Sequence, residues 1–148
     1  MTDQQIKMGA AQVECPTVES PAFVTPKPLS QCRVAVVTSA SMHHADDQDF
    51  APSDTGFRSL DAQRRDIVVG HWSPNFDAVG VAADLNVVFP IDRLQKLADQ
   101  GSIGSVAPTH YAVAGNQFDL SGIRVDAGPA IAQALHKEEV DVVLLTPV

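Results

Sequence analysis

Val140-Asp141-Val142-Val143-Leu144-Leu145-Thr146-Pro147-Val148, on which the chain ends, is the stretch that decides the fold. A charged step followed by a run of apolar and β-favouring residues predicts a strand buried on both faces, of the kind found inside a parallel sheet. Ligands of open α/β sheets sit just beyond the carboxyl ends of such strands. The chain thus stops where an active-site loop is expected to begin, although domains more often finish on a surface helix or an edge. It reads as a severed domain or as a bare scaffold.

Arg33-Val34-Ala35-Val36-Val37-Thr38-Ser39 has the same character and is the first strand, emptying into a small-residue turn at Ala40-Ser41-Met42-His43-His44. Asp66-Ile67-Val68-Val69-Gly70 reads as a second, shorter strand. Between them, Asp46, Asp47, Asp49 and Asp54 with Pro52 and Gly56 predict a long loop or mobile lid from Ala45 to Arg65. Such loops often carry function. Val79 to Val88 is ambiguous, with an extended conformation open to it. Pro90 starts a helix in which Ile91, Leu94, Leu97 and Ala98 share one face, and Gly101 closes it.

Gly104 to Val113 is loop or strand. A second helix runs from Arg124 or Asp126 to Lys137, with Ile131, Ala134 and Leu135 inward and Gly128-Pro129 interrupting or delaying its start. Strands alternating with helices imply an α/β domain over residues 32–148, with a mostly parallel sheet and flanking helices, as an incomplete doubly wound domain. Residues 1–31 read as an extended N-terminal arm, because Pro16, Pro21, Pro26 and Pro28 oppose helix.

A chain of 148 residues holds one domain with a proper core. A net charge of −8 argues against nucleic acid or an anionic membrane as partner. No apolar run has the length of a membrane span, and the polar start Met1-Thr2-Asp3-Gln4-Gln5-Ile6-Lys7 lacks a signal-peptide core, so a cytoplasmic protein is expected. Cys15 and Cys32 form neither a metal spacing nor a CxxC pair. Cys32 opens a strand as a small apolar filler, while Cys15 lies in a polar stretch where it could be exposed.

His43-His44, at the end of the first strand, is the best site that the residues alone offer. Imidazoles there could bind an anion, relay protons or hold a metal. The plainer reading is a pair of loop histidines in water. Thr38-Ser39-Ala40-Ser41-Met42 replaces the glycine-rich turn that a dinucleotide needs, and no P-loop, HExxH or GxSxG is present. Ser39 and Ser41 read as turn formers. Asp92 and Arg93 fall in the first turn of the Pro90 helix, where Asp92 meets the helix dipole favourably, and Asn86 can satisfy backbone groups on the approach. His110-Tyr111 is a further candidate pair.

Several ordered segments together resemble the selenoprotein B family of glycine, sarcosine, betaine and D-proline reductases. They are Thr25-Pro26-Lys27-Pro28-Leu29-Ser30 with Arg33 to Thr38, then His43, then His71 with Phe76-Asp77. The most specific is Asp84-x-Asn86-x-Val88-Phe89-Pro90-x-Asp92-Arg93-Leu94-x-x-Leu97. Gly101-x-Ile103-Gly104, His110, Gly115 and the closing Asp141 to Val148 complete the series, which spans about Phe23 to the terminus.

In members similar to D-proline reductase, a selenocysteine or cysteine directly follows a segment like Thr146-Pro147-Val148. The resemblance implies that the chain is the front part of a longer subunit cut at an in-frame UGA. It implies reductive cleavage of a C–N bond in a small amino acid or amine. A pyruvoyl group on a partner subunit forms a Schiff base with the substrate amine, and the selenolate attacks the α-carbon, a dithiol/disulfide couple completing the cycle. Neither Cys15 nor Cys32 matches the nucleophile's position, so the chain alone is expected to be inactive. His43, with Arg93 and His110 as helpers, is expected to be catalytic; His44, His71 and Asn86 are expected to bind substrate. No cofactor or metal is expected in this chain. A homo-oligomer is a further expectation. The competing reading is a non-catalytic α/β module that binds a small anion or a partner subunit.

Overall fold

In a computed structural model of the chain, residues 2–12, 17, 23–73, 76–117 and 119–148 are described. Cys15, Pro16, Pro21, Pro74 and Asn75 lie outside them.

The centre of the fold is β1 (Arg33–Thr38). Along one edge it pairs in parallel with β7 (Val142–Thr146), in register from Val34↔Val142 to Thr38↔Thr146. That pairing occupies the whole strand, so β5 (Ser105–Val106) and β6 (Thr109–Val113) share the other edge, both parallel to β1. Beyond β6, β3 (Phe57–Asp61) runs antiparallel. The result is a mixed, mostly parallel sheet with flanking helices, as the sequence predicts.

Alternation along β1 sorts its side chains onto two faces. Val34 and Val36 join Ile91 and Leu94 of α3 (Ile91–Asp99) in one core cluster. Ala35 and, less buried, Val37 meet Ile131 and Leu135 of α4 (Gly128–Lys137) in the other. A helix therefore covers each face of the central strand.

The predicted Pro90 helix is α3, and it ends as Gly101 requires. Gly101 has φ +71°, its N–H donates to the Ala98 carbonyl and the Ser102 N–H donates to the Leu97 carbonyl. That pair of bonds is the glycine-terminated motif that satisfies the last carbonyls of a helix. Before α4, the chain takes a wide π turn over Ile123–Ala127, with the Gly128 N–H donating to the Ile123 carbonyl. The turn lets Pro129, which has no N–H to give, enter the first turn of the helix.

Four expectations are corrected and one open reading is settled. The start of the arm is not extended: α1 (Asp3–Ala10) is a helix opened by a reciprocal cap between Thr2 and Gln5, ahead of the first proline. The expected loop from Ala45 to Arg65 contains β3, whose Phe57-Arg58-Ser59-Leu60-Asp61 lacks a clean alternation because only Leu60 is fully buried. The turn after β1 holds β2 (Met42–His44), which pairs antiparallel with β4 (Ile67–Val69) in a small separate sheet. Val79 to Val88 is helical, as α2 (Ala78–Ala83) and a 3-10 turn at Leu85–Val87, because the Asp77 side chain caps the helix and the Asp84 side chain caps the turn. Finally, among the described residues β7 pairs with β1 alone, Leu145 is 67% exposed, and Val142 is the residue of β7 that packs against a core cluster.

One break in the sheet explains a histidine. Between β5 and β6, Ala107 still donates to the Val34 carbonyl, but Pro108 has no N–H and its carbonyl is taken by the Ala62 N–H. The Val36 N–H is left without a ladder partner, and the His110 ring supplies one: Nδ1 accepts from it at 3.0 Å. Leaving that N–H unpaired in the core would cost roughly 1–3 kcal/mol. The ring is fully buried and lies edge-on to Phe89, with centroids 5.3 Å apart. Burial lowers the His110 pKa to about 4.

The folded chain holds this ring neutral, so the unfolded chain takes up the proton first as pH falls. The resulting stability is present above about 6.5 and is lost by about pH 4, a contribution of about 3 kcal/mol. Urea unfolding across that range should therefore show a steeper loss in the wild type than in His110→Asn, which keeps an acceptor and removes the titration. Equal slopes would contradict the assignment.

Candidate active site

A cleft of about 590 Å³ opens where the parallel strands end. Val148, just past β7, and Asn116, just past β6, form one side; His71, Phe76 and Asp77 form another. Val81 of α2, with Val87 and Val88, supplies an apolar floor. This is the carboxyl edge at which sheets of this class bind ligands.

Ser39, immediately after β1, fixes the cleft's position. Its Oγ accepts from the Val148 N–H at 2.9 Å and donates to the Val148 carbonyl at 3.2 Å. Thr146 Oγ1 donates to the Val88 carbonyl at 2.8 Å, tying β7 to the floor. Ser39 is thus more than the turn former its sequence suggests.

Of the six residues singled out from sequence, only His71 lines this cleft. Its ring stacks on Phe76 at 4.4 Å and 14°, and Nδ1 accepts the Ser73 N–H at 3.1 Å. Burial lowers its pKa, and the nearby Val148 backbone opposes that.

The others are held elsewhere. His43 and His44 are not loop histidines in water: both are buried on β2. His43 Nε2 lies 2.9 Å from Asp49 Oδ1. His44 Nε2 accepts the Asp61 N–H at 2.9 Å, and its Nδ1 meets Asp66 Oδ1 at 3.1 Å, which clamps β3 to the small sheet. Arg64 pairs with both Asp66 and Asp46 and holds both carboxyls below the usual range. His110 belongs to the core, bonded to the Val36 N–H.

Asn86 and Arg93 lie on the outer side of the α3 start. The Asn86 amide donates to Asp84 Oδ1 at 2.9 Å and to Asp92 Oδ2 at 3.1 Å, and its oxygen accepts the Asp92 N–H at 3.1 Å. These bonds depress the Asp84 pKa, with Arg93 contributing less at 3.4 Å. The helix start therefore uses the whole Asn86 amide. Cys32 is buried, with Sγ bonded to the carbonyls of Lys27 and Pro28. Among the described residues, no group of His, Cys, Asp and Glu could hold a metal ion, and no helix is long and apolar enough to cross a membrane.

Comparison with known proteins identifies the family. The family model described as glycine/sarcosine/betaine reductase selenoprotein B matches residues 12–148. The chain belongs to that family. It is 34% identical to D-proline reductase subunit gamma of Acetoanaerobium sticklandii, over 99% of this chain and 62% of that protein. It is 29% identical to a glycine reductase complex component B subunit gamma of Symbiobacterium thermophilum, over 81% of this chain and 29% of that one. The chain thus spans less than two thirds of the length of these relatives. No solved structure matches it.

Within this selenoprotein B framework, the resemblance segments meet at the cleft. His71, Phe76, Asp77 and the closing Val148 surround it, and the Asp84 to Leu94 segment lends it Val88 while its polar residues build the helix start beside it. Asn116 was missed; the turn-forming pair Gly115-Asn116 is the sequence signal that could have found it, and the residue takes φ +58°. Asn86→Ala should lower stability by about 1 kcal/mol and Arg93→Ala by less than about 0.5 kcal/mol, read from urea midpoints. A larger loss for Arg93→Ala would contradict the division of labour.

Proposed function

We propose that this chain is part of a reductase subunit that cleaves the C–N bond of a small amino acid or amine, of the glycine, betaine or D-proline type. The observation that carries the reading is the cleft at the carboxyl edge, where His71 and the backbone of Val148 stand together in a member of this family. We further propose that the family's selenocysteine, or a cysteine, directly follows Val148, and that a partner subunit carries a pyruvoyl group.

The residues present fit such a nucleophile. Ser39 holds both backbone groups of Val148, and Gly115 lets the His71 ring pack closely against the strand end, where a Cβ would clash at 2.3 Å. When present, the selenol would supply a nucleophile that is anionic at neutral pH without a dedicated base, and the pyruvoyl carbonyl would make the substrate nitrogen a better leaving group. The chain's own part is to bind and to exclude water. Phe76, Val81, Val87 and Val88 give an apolar wall, and Asp77 supplies the carboxylate among the lining residues. No Lys or Arg lines the cleft among the described residues, so it suits a cationic nitrogen better than an isolated anion.

In this reading His71 meets the substrate. His43, His44, His110, Asn86 and Arg93 hold the frame that places it.

Two measurements test the proposal. The gene is expected to show UGA or a cysteine codon directly after Val148 with the frame continuing, and TAA or TAG there would contradict it. The complete subunit with its partner should cleave the C–N bond of one of these substrates only when a dithiol is supplied, releasing ammonia or an amine from an open-chain substrate and opening the ring of a cyclic one to an ω-amino acid. No turnover of any of them would contradict it.

A further inference from the structure

Ser41, between β1 and β2, is fully buried and takes φ +53°. A residue with a Cβ is strained in that left-handed region, and such strain collects at functional sites, where the surrounding contacts hold it in place. Three hydrogen bonds hold Ser41. Its N–H donates to the Val113 carbonyl at 3.1 Å, its carbonyl accepts the Gly70 N–H at 3.0 Å, and its Oγ accepts the Gly115 N–H at 3.1 Å. Glycine would take the same backbone conformation without strain. What serine adds is the hydroxyl on Gly115.

These bonds lead to the walls of the cleft. Gly70 precedes His71 and Gly115 precedes Asn116, and both His71 and Asn116 line the cavity. A Cβ on Gly115 would fall 2.3 Å from the His71 ring and 2.4 Å from the Ser39 carbonyl oxygen, so its bare Cα packs against both residues. Each of the two in turn meets Val148. Ser39 does so through its hydroxyl, at 2.9 and 3.2 Å, and the His71 ring through the Val148 backbone. A shift of Gly115 therefore reaches the end of β7 by two routes.

We infer that Ser41 is a positioning residue for the cleft. Through Gly70 and Gly115 it sets the place of His71 and Asn116, and through His71 and Ser39 it sets the place of the Val148 backbone. Being fully buried, it acts through these residues and not on the ligand. This deepens the reductase reading and rests on it for the chemistry at the cleft, while the geometry of the wall stands on the chain alone.

The first test compares amide proton–nitrogen spectra of the full chain with those of Ser41→Gly and Ser41→Ala. Both variants lack the hydroxyl, and Gly keeps the left-handed backbone free of strain. The amides of His71, Gly115, Asn116 and Val148 should shift in both, while those of Leu94 in α3 and Leu135 in α4 stay in place. Shifts confined to the immediate neighbours of residue 41, or loss of the folded spectrum in both variants, would overturn the inference. The second test uses the assembled reductase. Each variant should lower kcat on the order of 100-fold with KM within about 3-fold, as for reacting groups held slightly out of place. Wild-type kcat in Ser41→Gly would reduce the role of Ser41 to its backbone and overturn the inference. A wild-type complex inactive on every amine would sink the reductase reading instead, and the amide spectra would still decide the inference.

Discussion

The parallel pairing of β1 with β7 is the constraint on which the rest depends. Five consecutive residue pairs, Val34↔Val142 to Thr38↔Thr146, join segments separated by more than 100 residues of sequence. Closing so long a loop is entropically costly and is offset only when the whole register forms. Once it does, Ser39 and Val148 fall side by side, and one hydroxyl holds both backbone groups of Val148. The same register brings Thr146 to the Val88 carbonyl. The cleft is thus a consequence of strand registration, built from residues that lie far apart in the chain.

A second theme is the use of imidazole as a backbone acceptor. His44 takes the Asp61 N–H, His71 the Ser73 N–H and His110 the Val36 N–H. Each ring stands where the chain leaves a regular element or where the ladder breaks. Burial of His110, which lowers its pKa to about 4, makes the fold lose stability as pH falls from about 6.5. Of these three histidines, only His71 lines the cleft.

The legible parts of the fold were those with strong local patterns. β1 is an apolar, β-branched run, and α3 carries a proline at its start, an apolar stripe and a terminating glycine. β3 was illegible because its partner β6 is nearly 50 residues away and its own pattern is broken. β7 was legible as a strand but its exposure was not, because exposure depends on what packs over the sheet. Among the site residues, His43 and His110 drew attention by type and position. Their burial and hydrogen bonds arise from tertiary contacts such as His110 with Val36, which no local window contains. The resemblance segment Asp84 to Leu94 was specific to the family, yet its polar groups are spent on starting a helix.

The central claim is that ligand chemistry takes place between His71 and the carboxyl end of β7. A crystal structure of the complete subunit soaked with its amine substrate tests this most directly. The account predicts ligand density in the cleft bounded by His71, Phe76, Asp77 and Asn116. Density at the amino-terminal ends of the strands, with this cleft empty, would contradict it.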